Sequence, residues 1–123
     1  MDLLVLLKRI GTLFVEVEDL SRQMAEAIDR QDEVSMQMVL AMRSEPIDKL
    51  LIADSALREH IKSIGEDRVR IRKLLDGDAA VAQNETETMI AEQAAANIRM
   101  HKKILEMDKV INKKLTRDKS IYQ

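Results

Sequence analysis

The chain has 123 residues, of which 34 % are charged, 46 % apolar and 2 % aromatic, with 3 Gly, 1 Pro and no Cys. That composition excludes a disulfide framework or thiolate metal site, and it disfavours a sheet protein, which would carry more Val, Thr, Tyr and turn glycines. A net charge of −2 gives no bulk attraction to nucleic acid or to an anionic membrane, so neither is expected as a partner.

The first element opens on Leu3-Leu4-Val5-Leu6-Leu7, which follows Asp2 and ends at Lys8-Arg9. This apolar run is too short for a signal peptide core or a membrane span, so the expected location is cytoplasmic. With Leu3 at heptad position a, that position holds Leu3, Ile10, Val17 and Met24, and d holds Leu6, Leu13, Leu20 and Ala27. Position e adds Leu7, Phe14 and Ile28. A stripe this wide predicts a helix of roughly 27 residues packed against more than one neighbour. Gly11 lies off the stripe and costs about 1 kcal/mol relative to Ala.

Asp29-Arg30-Gln31-Asp32 breaks the pattern, with Asp32 as N-cap and Glu33 in the first turn of the next helix. That second helix begins with VSMQMVLAM, three methionines in nine residues. Its apolar arc is about twice as wide as one packing partner needs. Either the segment lies between both other helices with Met as gap filler, or one side stays open to a partner around which Met can repack. Pro46 predicts a kink, or a split in which Ser44 caps a new helix holding Pro46 in its first turn. The stripe then continues through Leu50, Ala53, Leu57, Ile61 and Ile64 to Leu75, with Gly65 as a weak spot. Asp76-Gly77-Asp78 ends it, with Gly77 in a left-handed cap and Asp78 capping the next helix.

The third helix is expected from about residue 79 to 119. It is polar and small at first and later carries Met100, Ile104, Met107, Ile111 and Leu115. The fold class is therefore all-α: one domain over residues 1–123, an antiparallel three-helix bundle of long helices, the second kinked or split near Pro46. Ala94-Ala95-Ala96 bury little area, so the C-terminal helix is expected to dock loosely.

Chemistry is sparse. His60 and His101 are preceded at three residues by Leu57 and Ile98, so the Glu-x-x-His pattern of a di-iron bundle is absent from the sequence. No Gly-rich phosphate loop or nucleophile–base pair assembles at helical spacing, and no catalytic group, metal or cofactor is expected. Arg99, Lys102, Lys103, Lys109, Lys113, Lys114, Arg117 and Lys119 outnumber Glu106, Asp108 and Asp118 near the C-terminus. This reads either as a phosphate-binding stripe or as a solvated face with cations where the helix dipole favours them. No aromatic residue sits among them to stack on a base.

The order of these features resembles the FlgN-like family of flagellar type III export chaperones and, more loosely, its FliT-like cousins. The resemblance lies in the closely spaced leucines from Leu3 to Leu20 and in Gln31-Asp32-Glu33-Val34 ahead of Val39-Leu40. It continues in Arg43 before Ile47 and Leu50-Leu51, and in Asn97 leading into Met100 and Ile104-Leu105. The chain departs from the family pattern at Met100, where a second Asn is common, and at Pro46 within the second helix. The resemblance implies a cytosolic chaperone whose C-terminal helix binds the C-terminal helical region of flagellar hook–filament junction proteins before secretion. Asn97, Met100, Ile104, Met107, Ile111 and Leu115 are then the client-binding candidates, since the apolar ones form a single stripe at helical spacing. Met36, Met38 and Met42 form a secondary apolar patch. The alternative is a structural coiled-coil protein that forms a homo-oligomer through its seams, and a third reading is a phosphate binder through the basic stripe. The heptad register has its own check. Leu13→Ala should cost about 2–5 kcal/mol as a core truncation, and an unchanged melting temperature would show that the register is wrong.

Overall fold

The computed structural model describes residues 2–121, with side chains to residue 116. Helices α1 (Leu3–Asp29), α2 (Glu33–Ser63), α3 (Arg68–Leu75) and α4 (Glu85–Ile121) account for most of them, and Ala79–Val81 form a 3₁₀ turn. The described residues contain no strand. The all-helical expectation therefore holds, but the division of the chain differs from the one expected.

Helix α1 begins where the Asp2 carboxylate accepts the Leu4 N–H at 3.2 Å. It ends in a Schellman turn: the Gln31 N–H bonds to the Ile28 carbonyl, the Asp32 N–H bonds to that of Ala27, and Gln31 itself takes a left-handed φ of 56°. Asp32 then caps α2, accepting the Ser35 N–H at 3.1 Å and its hydroxyl at 2.6 Å. These bonds hold the Asp32 carboxyl below its usual range.

Of the kink or split expected near Pro46, the split is not found. Helix α2 runs through Pro46, whose side chain is fully buried. Pro46 removes one backbone bond, and burial of its ring offsets part of that loss. The break falls instead after Ser63, at the weak spot Gly65, where Ile64 turns extended. Length explains this. Helix α1 spans about 40 Å, whereas a single helix from Glu33 to Leu75 would span about 64 Å and overshoot it. Folding back as α3 returns Leu74 to the start of α1, fully buried among Leu3, Leu7, Ile90, Ala91 and Ala94. Gly77, at φ +93°, closes α3 in a second Schellman turn, and Asp78 caps the 3₁₀ turn through the Ala80 N–H.

The last helix starts later than expected, at Glu85. Asn84 accepts the Glu87 N–H at 2.9 Å, and the Glu87 side chain reaches back to the Gln83 N–H at 2.9 Å. This reciprocal cap lies within a segment whose composition is continuous with the helix.

Helix α1 is the spine of the fold, packed along both α2 and α4. Leu6 and Ile10 meet Ala53, while Leu20, Met24 and Ile28 meet Val39, so α2 runs opposite to α1. Leu3 and Leu7 meet Ile90 and Ala94, while Met24 and Ile28 meet Ile111, so α4 runs the same way as α1. Leu13, Val17 and Ala27 are buried, as the heptad register requires.

Gly11 marks a close approach of α4. A Cβ there would lie 2.7 Å from Gln93 Nε2 and 2.8 Å from Asn97 Oδ1. Gly11→Ala should therefore destabilise by about 1–3 kcal/mol through overpacking, despite the gain in helix propensity. At Gly65 a Cβ would meet nothing within 4 Å, so Gly65→Ala should be neutral or stabilise by up to about 1 kcal/mol. Denaturant midpoints of the two variants compare these directly, and equal effects would rule out the tight Gly11 contact.

A candidate helix-binding groove

Helices α2 and α4 both lie on α1 but make no close backbone approach to each other. The Arg43 side chain links them across the gap. Arg43 of α2 donates from Nε to the Ser21 hydroxyl of α1 at 3.0 Å and from Nη2 to Asp108 of α4 at 2.6 Å. Ser21 is fully buried. On one side of this bridge lies the cluster of Leu20, Met24, Ile28, Val39 and Ile111. On the other, His101 of α4 stacks on Phe14 of α1 at 5.4 Å between ring centroids.

Residues three and four positions apart on a helix share a face. Leu40 and Ile47 therefore flank Arg43 on α2, and Leu105 flanks Asp108 on α4, so these residues face the gap. Leu40 and Leu105 are 56 % and 47 % exposed. Leu51 and Ile98 continue the two walls and are exposed as well. The arrangement is a groove with partly apolar walls and an ion pair across its middle.

The structure gathers the predicted client-binding residues on the opposite, α1-facing side of α4. Ile104 and Ile111 are 5 % and 7 % exposed, while Met100, Met107 and Leu115 are half-buried. Asn97 is buried, donating from Nδ2 to the Leu7 carbonyl at 2.9 Å and accepting from Gln93 at 3.0 Å. In this conformation the stripe belongs to the bundle interior. The methionine patch divides: Met36 packs half-buried against the cluster around Val39, whereas Met38 and Met42 are exposed.

Charge also fastens α4 to α1. Lys103 pairs with Glu18 at 2.9 Å, and Lys114 pairs with Asp29 at 2.6 Å. Lys109 is paired with Glu106 at 3.0 Å. Three cations of the basic stripe are thus already held by carboxylates, which supports the solvated-face reading over a phosphate site. The side chains of Arg117, Asp118 and Lys119 lie outside the described residues. No cluster of three or more potential metal-ligating His, Asp or Glu residues occurs among the described residues, and no described helix is long and apolar enough to cross a membrane.

Sequence reasoning missed the Ser21–Arg43–Asp108 link and the Glu18–Lys103 pair. One signal was present. Ser21 is the polar member of an e-position series otherwise made of Leu7, Phe14 and Ile28. A polar side chain in that series needs a partner, and Arg43 is that partner. No protein-family model, curated protein or solved structure matches the chain.

The Lys103 hydrogen bond, aided by Arg22, outweighs desolvation and holds the Glu18 carboxyl below its ordinary value of 4.5. Glu87 is lowered likewise, chiefly by Arg70. Groups with a depressed folded pKa stabilise the fold above their unfolded pKa and lose that contribution as pH falls through the folded value. Stability should therefore decline on acidification from about pH 5 to pH 3, and Glu18→Gln should flatten part of that decline. Thermal melts across this range test it. An unaltered pH profile in Glu18→Gln would show that the pair does not couple to folding.

Proposed function

We propose that this chain is a cytosolic, non-catalytic chaperone of the flagellar type III export kind, which binds the C-terminal amphipathic helix of hook–filament junction proteins. The reading treats α1, α2 and α4 as an up–down–up bundle that α3 closes at one end. Its client helix pairs with α4 along Met100, Ile104, Met107, Ile111 and Leu115, reached through the groove between α2 and α4. One observation carries the proposal: along this stretch α4 packs on α1 and makes no close backbone approach to α2, and the Arg43–Asp108 ion pair spans the gap between them beside the cluster that holds Val39 and Ile111. Apolar residues exposed on both walls suit the apolar side of an amphipathic helix.

Beyond Asn97, the interior-facing anchors of α4 are narrow. Ile104 and Ile111 are its buried residues there, and the half-buried Met100 and Met107 are flexible thioethers that repack at low cost. Releasing this part of the helix exposes a modest apolar area, which a client helix would cover again. Opening also breaks the Lys103–Glu18 pair, and that pair re-forms when the helix closes.

A tether tests this movement. The double variant Glu18→Cys/Lys103→Cys, joined by a short bis-maleimide, would hold α4 on α1. The tethered protein should lose binding to synthetic C-terminal peptides of hook–filament junction proteins by at least about tenfold, while the untethered double variant keeps it. Equal binding by both forms would show that the stripe is not the client surface. Leu40→Glu and Leu105→Glu, at exposed wall positions, should weaken peptide binding without lowering the melting temperature.

A further inference from the structure

Helix α2 carries two heptad seams set one residue apart. The first, Val39, Arg43, Pro46, Leu50, Ala53 and Leu57, advances by alternating steps of four and three and faces α1. The second, Met38, Met42, Glu45, Lys49, Ile52 and Ala56, has the same steps. It is turned about 100° from the first and lies in solvent. Met38 is 60 % exposed, Met42 52 % and Ile52 71 %. A seam of this spacing on a solvated face has the form of a coiled-coil contact without its partner helix.

We propose that this second seam joins two copies of the chain, α2 against α2, in an antiparallel two-fold pair. The seam is complementary to itself when reversed about Ile47. Met42 then meets Ile52 of the second copy, Met38 meets its Ala56, and Glu45 meets its Lys49. In antiparallel coiled coils, a positions pair with d positions, and each of these pairs does so. The two-fold axis makes every contact twice. A parallel pair would instead set Glu45 against Glu45 and Lys49 against Lys49, so the charges select the antiparallel orientation. The central Glu45–Lys49 layer also fixes the register, since a slip of one heptad would bury each charge against an apolar side chain.

The rims agree with this arrangement. At one end of the exposed seam, Leu6 and Arg9 of α1 border Lys49, Ile52 and Ala56. At the other, Gln23, Glu26 and Arg30 border Met38 and Met42. Reversal brings the end carrying Arg9 and Lys49 against the end carrying Glu26 and Glu45, while Arg30 is occupied by Asp32 of its own chain at 3.8 Å. Within one chain Glu45 and Lys49 sit 3.2 Å apart, 74 % and 49 % exposed, so each retains solvated area for an exchange between copies. The face lies on the side of α2 away from the Arg43–Asp108 groove, so pairing leaves that groove open. The proposal stands independently of the client reading.

Sedimentation velocity tests it directly, over concentrations from about 1 to 500 µM, the range where small interfaces associate. The mass should rise with concentration from 14.1 kDa to twice that value and no further. Glu45→Lys and Lys49→Glu should each weaken association by about tenfold, because each places like charges opposite in two layers. The double variant Glu45→Lys/Lys49→Glu should restore it to within about threefold, because the pairs re-form with reversed sign. Ile52→Glu should abolish association with an unchanged far-ultraviolet circular dichroism spectrum. A chain that stays monomeric throughout overturns the proposal and leaves the face to a different partner. A dimer indifferent to these charges places the contact elsewhere and overturns it equally.

Discussion

The fold depends on one buried amide contact inside a largely apolar seam. Asn97 reaches from α4 to the carbonyl of Leu7 on α1, with its own oxygen satisfied by Gln93. The approach is possible because Gly11, one turn beyond Leu7, has no side chain to hold the helices apart. A buried amide that bonds in a single geometry costs free energy if the helices slide, since its polar atoms would be left unpaired. Leucines and isoleucines alone tolerate such sliding. Asn97 therefore sets the register of α4 on α1, and with it the positions of His101 over Phe14 and of Lys103 beside Glu18.

Arg43 plays the complementary part at the middle of the bundle. It satisfies the buried Ser21 hydroxyl and holds Asp108 of α4. Because it bridges a gap rather than filling it, α2 and α4 stay apart on the two flanks of α1. The groove follows from that spacing, as does the exposure of Leu40 and Leu105 on its walls. A bundle in which α2 and α4 closed on each other would bury those residues and leave no place for a third helix.

Most of the helical architecture is legible in the sequence because periodicity reports it directly. The a and d series of α1 is buried throughout, and Asp32 and Gly77 make the caps their chemistry implies, whereas Asp78 caps the short 3₁₀ turn rather than the long last helix. Two boundaries fall elsewhere than the residues suggest. Pro46 has the chemistry of a break, yet a proline that buries its ring fully can stay inside a helix. The segment before Glu85 has a helical composition, yet the reciprocal cap between Asn84 and Glu87 competes with helix there. Met36, Met38 and Met42 are close enough in sequence to suggest one patch, although their angles on the helix separate Met36 from the other two.

The sequence by itself determined which residues lie on a common face of each helix, because the 3.6-residue period is a property of the backbone alone. It therefore determined that α1 has a wide apolar stripe, that Met100 to Leu115 form a ridge and that α2 carries more apolar surface than one neighbour can cover. Only the tertiary structure decided which of these faces is covered. The ridge on α4 lies against α1 because Gly11 and Asn97 lock the two helices in register across residues far apart in the chain. The outer seam of α2 stays in solvent because α4 lies on the other flank of α1 and α1 can cover only one seam. Those choices rest on contacts between distant residues, on helix lengths that must match and on chain reversal at Gly65. Local periodicity contains none of them.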